Sequence, residues 1–499
     1  MHWSQVNNAA ALGMPWVVLF MLKLSMQSSS PKGRDMTKRE FDKVANEIYG
    51  IQHLACPLDQ GNIQLMLRPM VLQQAWYQGD SLVDVKALTR QFMWYAGEDS
   101  LYDQQFRAVY GLTLKEFYLI SLYILIGCVN DAKGVVGINL YDMFCKLSPS
   151  IPIPQILKYF AIVAIRSEDL PSFFLSHVVN GDLHQQSEYF QTTPLRKRPI
   201  LLDGENLMVL HPKLFSRAIA MLIPDLLKQI KGWKFKDHFG PEMESYIGQA
   251  LTHSMLEHFR EDELNVFCRL DSVVQGKMAD YMVPGDVNVI FESKAIEPGD
   301  IVSAVFDAEK LRSHLTDNFI KGVVQCQESV WRLTKTKRFH DAEFVGVVVT
   351  HEDFWFSSAD DIVNYIDADL DTRVREKYGD LPMPFENIIF VTVDMVESLI
   401  EAVAQGDISL GPFLKDCIET LRTPAGKRFT MSHLIQEKLG GTIKGHPLLA
   451  SKADEWLNYF QEAVEVNPRA WKGRVEELVQ CRNAGLRLLH RHFDNVAAS

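Results

Sequence analysis

The sequence predicts an α/β fold, with a mixed sheet in the second half of the chain and mainly α-helical N- and C-terminal regions around it. From about residue 236, strand-like segments first follow one another and then alternate with helical ones. That order is typical of an antiparallel meander that continues into parallel strands. Before about residue 196 and after about residue 405, apolar residues recur at helical spacing instead. Because 499 residues are too many for one hydrophobic core, two or three domains are expected.

Five segments are predicted along the chain. The apolar run at 14–22 is short for a membrane span, and no Lys or Arg precedes it, so it is not typical of a secretion signal. Met36 opens a helix-like stretch and is the more natural beginning. The segments are 1–35, a leader expected to be disordered or upstream of the true start; 36–195, a helical N-terminal domain; 196–235, a hairpin and helix; 236–404, the α/β core; and 405–499, a helical C-terminal region.

Local signals place elements ahead of the core. Thr113 and Glu116 form a capping-box pattern before the apolar run at 117–126, which predicts a buried helix. Asp203-Gly204-Glu205, between two apolar stretches, predicts the turn of a β-hairpin. The helix that follows has Pro224 near its middle, where a kink is expected.

The predicted core opens with a helix and continues into strands. Met243, Ile247 and Leu251 lie at helical spacing, and this face is expected to extend through Met255 to Phe259. Three segments are then strand-like: ELNVFCRLDSVV, KMADYMV and VNVIFESKA. After them come the helix KGVVQCQESVWRL, the buried strand AEFVGVVVT, and NIIFVTVDMVESLI, a strand that runs into a helix.

Composition and missing motifs narrow the function classes. A net charge of −12 argues against a global basic field but leaves room for a local basic groove. None of the seven cysteines forms a C-x-x-C pair, which is typical of a reducing cytosol and predicts a cytoplasmic protein without a zinc site. There is no G-x-x-x-x-G-K-[ST], G-x-S-x-G or H-E-x-x-H motif, so no P-loop motor is expected. His351-Glu352-Asp353 are expected to cap the next segment rather than bind a metal.

The stretch DVNVIFESKA carries the candidate chemistry. Residues two apart on a strand share a face, so Glu292 and Lys294 lie side by side where this strand ends. A hairpin centred near Asp286 would place Asp280 opposite Glu292. Two neighbouring carboxylates repel each other unless a cation lies between them, and oxygen ligands suit Mg²⁺. The alternative interpretation is a surface salt bridge at a strand end; Asp286 is a rival carboxylate, but it falls in the turn.

Asp280 followed by Glu292-Ser293-Lys294 resembles the motif of the PD-(D/E)XK nuclease superfamily, and the resemblance covers about residues 236–400. It implies a restriction-endonuclease-like mixed-sheet core and cleavage of nucleic acid that depends on Mg²⁺, with Mn²⁺ as a substitute. Asp280 and Glu292 would be metal ligands, and Lys294 would orient the water. The proline that names the motif is absent, and Ala279 stands in its place.

Two further residues fit positions that the resemblance implies. Many members carry a glutamate on the first core helix, where this chain has Glu244. Members often carry a polar residue on the helix after the lysine strand, where Gln325 lies. The alternative for both is an ordinary place on a helix surface.

An acidic chain needs local positive charge to hold a polyanion. The best candidates follow the Gln325 helix in sequence: Arg332, Lys335, Lys337 and Arg338. Two other basic clusters lie at 196–198 and 482–492. No helix-turn-helix, zinc-finger spacing or stacking platform is recognisable, so the sequence preference for a substrate is not predicted.

Together these features predict a cytoplasmic Mg²⁺-dependent endonuclease, with DNA preferred over RNA as its substrate. Large helical regions around a nuclease core, without a motor, resemble anti-phage defence effectors, which implies a phage-derived trigger or regulatory partner. Further copies of the chain are expected as partners, and a membrane is not. Two alternatives stay open: an RNA-cleaving, tRNA-directed toxin, and a nucleic-acid-binding protein that keeps the fold without the chemistry.

Overall fold

The computed structural model divides the chain into two compact units. Unit 1 consists of residues 1–55, 73–233 and 451–499, and unit 2 consists of residues 56–72 and 234–450. The mixed α/β class and the helical flanks are confirmed. The residues that the structure describes are 13–27, 35–56, 62–78, 81–97, 99–130, 134–177, 185–296, 299–440 and 445–498.

Helices make up most of the described chain. In its first half they are α1 (Pro15–Gln27), α2 (Lys38–Gly50), α3 (Gln52–Ala55), α4 (Ile63–Ala75), α5 (Ser81–Tyr95), α6 (Leu101–Tyr110), α7 (Leu114–Asn130), α8 (Leu140–Leu147), α9 (Ile153–Val163), α10 (Leu170–Ser176), α11 (Gln185–Phe190) and α12 (Pro212–Gln229). After these come α13 (Phe235–His253), α14 (Glu261–Leu270), α15 (Asp300–Ala304), α16 (Ala308–Leu315), α17 (Lys321–Thr334), α18 (Ala359–Tyr365), α19 (Asp369–Tyr378), α20 (Val393–Ala404), α21 (Leu410–Arg422), α22 (Met431–Leu439), α23 (Pro447–Ala470) and α24 (Val475–Ala498). The strands are β1 (Val136–Ile138), β2 (Ala164–Arg166), β3 (Ile200–Asp203), β4 (Asn206–Val209), β5 (Phe259–Arg260), β6 (Tyr281–Val283), β7 (Val287–Lys294), β8 (Glu343–Thr350) and β9 (Ile388–Thr392).

The sheet of unit 1 has the order β1-β4-β3-β2, with β2 and β3 parallel and the other neighbours antiparallel. The predicted hairpin is confirmed, since Asp203 pairs with Asn206 and Gly204 has the left-handed φ of 56° that its tight turn needs. Thr113 and Glu116 form the predicted capping box at the start of α7. The unit therefore follows its local sequence signals closely.

Helix α1 falls in the segment predicted to be a leader that is disordered or upstream of the true start, and for Pro15–Gln27 the expectation of disorder is wrong. Leu19 is buried in an apolar cluster with Leu170 and Phe174. Lys23 is only 5% exposed and pairs with Glu188 at 2.9 Å. An apolar run too short to cross a membrane is still long enough to bury one helical face in a core. Residues 1–12 and 28–34 of the predicted leader lie outside the described residues.

The lengths and composition of the helices were compared with what a membrane span needs, since no membrane partner is expected. Among the described residues, no single helix is both long and apolar enough to cross a membrane. The helix Leu101–Tyr110 and residues 114–129 satisfy the length and composition criteria only as a pair, bent by 78°. The predicted burial of α7 is confirmed at Phe117, Tyr118 and Ile120, none of which is exposed.

The sheet of unit 2 has the order β5-β6-β7-β8-β9. Its first three strands are antiparallel to their neighbours, and β6 and β7 are the two predicted strands KMADYMV and VNVIFESKA. Strand β5 lies at Phe259–Arg260 instead of in ELNVFCRLDSVV, and β8 and β9 run parallel to β7. Helix α17 covers one face, where Ile290 shares a core with Val323 and Cys326. The next residue along β7, Phe291, points to the other face, beside its partner Tyr281 in β6. Helices α13, α20 and α21 pack against that second face.

One predicted strand of the core is instead a helix. The first eight residues of the segment ELNVFCRLDSVV belong to α14, in which Leu264 and Cys268 form the buried face at a spacing of four. Acidic residues fill its first turn and Glu263 accepts a hydrogen bond from the Arg260 N–H, both of which favour a helix N-terminus. The preceding helix ends at His253, so Met255 lies beyond it and Phe259 lies in β5.

The boundaries predicted for the core are wrong at its C-terminal end. Unit 2 continues to residue 450 rather than ending at 404, because α21 and α22 pack against its sheet. At Gly411, a Cβ atom would lie 2.3 Å from the carbonyl oxygen of Val287, which shows how closely α21 approaches β7. Helices that cover a sheet have the same apolar spacing as helices of a separate domain, so the sequence does not distinguish the two cases.

Residues 56–72 also belong to unit 2, although they were predicted to lie in the N-terminal domain. Leu65 joins the core cluster of the sheet, and Arg68 is 1% exposed. Its guanidinium donates hydrogen bonds to the carbonyl oxygens of Val302 and Phe354 at 2.6 and 2.7 Å. Burial lowers the pKa of Arg68 to about 9. The segment 196–235, predicted as a lead into the core, lies in unit 1 up to residue 233.

Candidate active site

The register of β6 and β7 brings the predicted carboxylates level with each other. Tyr281 pairs with Phe291 and Val283 pairs with Val289, so the hairpin is centred on Asp286 as predicted. One step beyond the last pair, Asp280 is level with Glu292. Asp286 is exposed in the turn, at the other end of the hairpin from that pair. The three predicted residues Asp280, Glu292 and Lys294 therefore lie together at the carboxyl end of β7.

Asp280 is held in place through its own carboxylate. The backbone N–H of Ser293 donates a hydrogen bond to Asp280 Oδ2 at 2.6 Å. Its carbonyl oxygen accepts a hydrogen bond from the N–H of Glu261 at 3.0 Å. Burial raises the pKa of Asp280, and the hydrogen bonds from Ser293 and the charge of Lys294 oppose that rise. The side chain is thus fixed across the hairpin, beside the end of β7.

Glu292 is the most unusual residue of the site. It is 1% exposed, and its Oε1 accepts a hydrogen bond from Lys294 Nζ. Its Oε2 is buried and has no hydrogen-bond partner among the described residues. Burial, followed by the charge of Asp280, raises the pKa of Glu292 to about 8, although Lys294 opposes the shift. A buried carboxylate with an unused oxygen beside a second carboxylate favours the binding of a cation.

Helix α17 closes over Lys294. Gly322, in its first turn, lies so near that a Cβ atom there would be 3.3 Å from Lys294 Cε and 3.1 Å from a methyl group of Val348. The lysine side chain is 15% exposed, so its ammonium group lies in a mostly enclosed position. A glycine at this point allows the helix to approach the strand that carries the motif.

The structure also places Glu244 and Gln325 near the site, but in different ways. Burial and then the charges of Asp280 and Glu261 raise the pKa of Glu244, while Lys294 lowers it, so this carboxylate faces the same group of charges. Gln325 lies one turn after Gly322 on α17 and therefore on a neighbouring part of its surface. Its Oε1 is buried without a hydrogen-bond partner among the described residues.

Two residues near the site were missed in the sequence. Glu261, at the start of α14, raises the pKa of both Glu244 and Glu292. Arg260 lowers the pKa of Glu244 and forms a hydrogen bond with Tyr281. Arg260 and Glu261 lie just before the segment that was predicted to be a strand, so no helix start was expected there and these residues had no reason to face the hairpin. The run of three acidic residues at 261–263, typical of a helix start, is the signal that would have placed them.

The basic cluster predicted to bind nucleic acid does not lie as expected. Arg332 is 2% exposed, and its guanidinium donates hydrogen bonds to carbonyl oxygens of the loop before β6, so it is not available to a phosphate. Lys335 follows the last turn of α17, roughly 20 Å along the helix from Gly322. From there the chain enters β8 at Glu343, which is level with Val287 and not with Lys294. Adjacency in sequence to α17 therefore does not mean adjacency to the carboxylates.

The other two residues of that cluster, Lys337 and Arg338, are exposed. Arg338 lies with its guanidinium 4.8 and 4.5 Å from the ring centroids of Phe259 and Phe267. The backbone N–H of Lys337 donates to Asp271, while the lysine side chain is 94% exposed. Nucleic-acid binding by Lys335, Lys337 and Arg338 stays a prediction.

The segment after β8 is a packed loop, but it does not supply the predicted cap of the next helix, because the N-cap of α18 is Ser358, in a capping box with Asp361. Asp353 Oδ1 accepts a hydrogen bond from the N–H of Trp355 at 2.6 Å, and Thr430 donates to its other oxygen. Burial raises the pKa of Asp353 to about 6. His351 packs edge-on against Phe239. These contacts are those of a packed loop.

The hairpin offers carboxylate oxygens as possible ligands for Mg²⁺. Among the described residues, no group of three or more His, Cys, Asp and Glu side chains is arranged to hold a metal ion. Mg²⁺ is commonly bound by one or two carboxylates, with waters and substrate phosphate completing its shell. Asp280 and the unused oxygen of Glu292 fit that smaller set. No protein-family model, curated protein or solved structure was found to match this chain.

Proposed function

We propose that unit 2 is a metal-dependent nuclease of the PD-(D/E)XK type, and more specifically a DNA endonuclease. The observation that carries the proposal is the buried Glu292, which lies beside Asp280 and Lys294 and whose second oxygen has no hydrogen-bond partner among the described residues. A salt bridge at a strand end would not need a second carboxylate beside it. The order of elements supports the same family: helix α13, an antiparallel meander, helix α17 and a parallel strand.

Asp280 and Glu292 would hold Mg²⁺, with Mn²⁺ as a substitute. When bound, the ion would lower the pKa of a water and offset negative charge on the phosphate oxygens. Lys294 Nζ, which donates a hydrogen bond to Glu292, would orient a water or neutralise a phosphate oxygen. Glu244, which faces the same charges, would orient water on the other side of Asp280. Gln325 would hold the substrate where α17 begins.

The proposed setting is a cytoplasmic anti-phage defence effector. The helices of unit 1 would then receive a phage-derived trigger or a regulatory partner, or join copies of the chain. This role rests on the architecture alone, a nuclease core within a mostly helical chain. The resemblance to PD-(D/E)XK nucleases favours DNA over RNA as the substrate. A cleavage assay on both nucleic acids distinguishes the two.

Cleavage of nucleic acid tests the proposal. Purified protein would be incubated with plasmid DNA and with total RNA, in Mg²⁺, in Mn²⁺ and in EDTA. The expected result is cutting that needs metal, persists in Asp286→Asn and falls on the order of 100-fold or more in Glu292→Gln and Lys294→Met. Asp286 is the matched control, since it is an exposed carboxylate of the same hairpin. Equal activity in all four proteins would overturn the site, and cutting of RNA alone would change the substrate.

A further inference from the structure

The loop that leads to Asp280 has little regular structure of its own. It joins α14 to β6 and contains no helix or strand from Val273 to Asp280. Ser272 has a left-handed φ of 57°, and Gly276 and Lys277 are exposed. An exposed loop of this kind is mobile unless other groups bind its backbone. What fixes Asp280 opposite Glu292 must therefore come in part from outside the loop.

Arg332 binds this loop from α17. Its Nε donates to the carbonyl oxygen of Val274 at 3.1 Å, and its Nη1 donates to those of Gly276 and Lys277 at 3.0 and 3.1 Å. The guanidinium has a fixed planar shape, so three carbonyl contacts specify the path of the backbone. Because Arg332 is 2% exposed, these bonds are shielded from water.

Glu328, one turn earlier on α17, binds a backbone N–H of the same loop, whereas Arg332 binds its carbonyl oxygens. Its Oε1 accepts a hydrogen bond from the N–H of Lys277 at 2.8 Å. Its Oε2 accepts hydrogen bonds from Lys377 at 2.9 Å and Tyr378 at 3.1 Å, so α19 holds the carboxylate in place. Gly276 fits against it so closely that a Cβ atom there would lie 2.3 Å from Oε1.

Helix α17 thus contacts both halves of the proposed site. Near its start Gly322 lies against Lys294, and toward its end Glu328 and Arg332 hold the loop that carries Asp280. We infer that Glu328 and Arg332 are positioning residues that keep Asp280 level with Glu292. The inference rests on the proposed function for its catalytic meaning, but the placement of Asp280 can be measured without any activity.

Hydrogen exchange at the amide of Ser293 reports the placement of Asp280, because that N–H donates to its carboxylate. The variants are Arg332→Gln and Gly276→Ala, the second of which forces Glu328 or the loop to shift without removing a charge. Gly285→Ala is the matched control, since a Cβ atom there meets only an ordinary contact at 3.5 Å. Both test variants are expected to exchange the Ser293 amide faster than wild type, while amides of β9 keep their protection.

Activity provides the second measurement. The Mg²⁺ concentration for half-maximal cleavage is expected to rise by about 10- to 100-fold in both test variants, with the rate recovering at high metal. Unchanged exchange at the Ser293 amide would overturn the inference. A rise in exchange that extends uniformly through β9 would also overturn it, because a loss of stability alone gives that result. If wild type cleaves nothing but the Ser293 amide responds as expected, the positioning stands and the proposed function fails.

Discussion

At the scale of single residues, Glu292 is the residue that links stability to pH, because burial holds its pKa near 8. An ordinary glutamate has a pKa of about 4.3, so between these values the folded protein binds this proton more tightly than the unfolded chain does. The contribution of Glu292 to the free energy of unfolding therefore falls as the pH rises from about 4 to 8. Above pH 8 the group is charged in both states and the loss is complete.

This sign gives a stability prediction for Glu292→Gln. Without metal, the unfolding free energy of wild type relative to the variant should fall by about 2 kcal/mol or more between pH 5 and pH 8. Urea denaturation at both pH values measures it, with Asp286→Asn as the exposed control. Parallel pH dependence in wild type and Glu292→Gln would show that Glu292 is not held in its protonated form.

Asp280→Asn separates charge from geometry at the same site. Asparagine keeps an oxygen that accepts the hydrogen bond from Ser293, so the fold should lose less than about 1 kcal/mol of stability. The negative charge that raises the pKa of Glu292 is removed, so that pKa should fall. Cleavage should drop on the order of 100-fold, since one of the two proposed metal ligands becomes neutral. Stability curves over pH and the plasmid assay test both parts; a variant with full activity would remove Asp280 from the site.

At the scale of elements, the close contact between α13 and β6 depends on one glycine. A Cβ atom at Gly248 would lie 2.2 Å from the hydroxyl oxygen of Tyr281, which is 2% exposed and cannot move aside. Gly248→Ala should therefore lower the unfolding free energy by about 1–3 kcal/mol. Gly240→Ala, in the same helix, has open space around its Cβ and should be neutral or gain up to about 1 kcal/mol. Urea denaturation of the two variants tests the packing, and equal effects would contradict it.

The elements also show what sequence patterns can and cannot predict. The hairpin register at Asp280 and Glu292 was predictable, because an apolar strand, a turn and two charges two residues apart define it. Helix α14 was not, since its apolar residues suited a strand equally well and only the acidic first turn favoured a helix. Arg332 was misassigned because a positive charge near a proposed nuclease helix suggests phosphate, whereas three loop carbonyls occupy it. Such contacts depend on chain segments far apart in sequence.

At the scale of the whole molecule, the unit that carries the site includes a segment from near the N-terminus. Leu65 is 4% exposed in the core of unit 2, whereas Ile63, two residues earlier, is 58% exposed. Leu65→Ala should lower the stability of unit 2 by about 2–4 kcal/mol. Ile63→Ala should change it by less than about 0.5 kcal/mol. Hydrogen exchange at the amides of β7 measures the effect. An equal change in exchange in both variants would show that residues 56–72 do not belong to this core.

That discontinuous organisation explains why the predicted boundaries failed. The start of the core near 236 was close to the observed 234, since a new helix and a meander begin there. The end at 404 and the inserted segment 56–72 were missed because neither carries a composition signal. Arg68, a buried cation bound to two distant carbonyls, looks like any helical arginine in the sequence.

The central claim is that Asp280 and Glu292 form a metal site, and binding of Mn²⁺ tests it most directly because it needs neither a substrate nor a trigger. Calorimetric titration at pH 8, where Glu292 is substantially ionised, should show one Mn²⁺ bound to wild type and to Asp286→Asn. Binding should weaken by at least about tenfold at pH 6 and in Glu292→Gln, since protonation or amidation removes the ligand charge. Binding of equal strength in Glu292→Gln, or none to wild type at pH 8, would contradict the account.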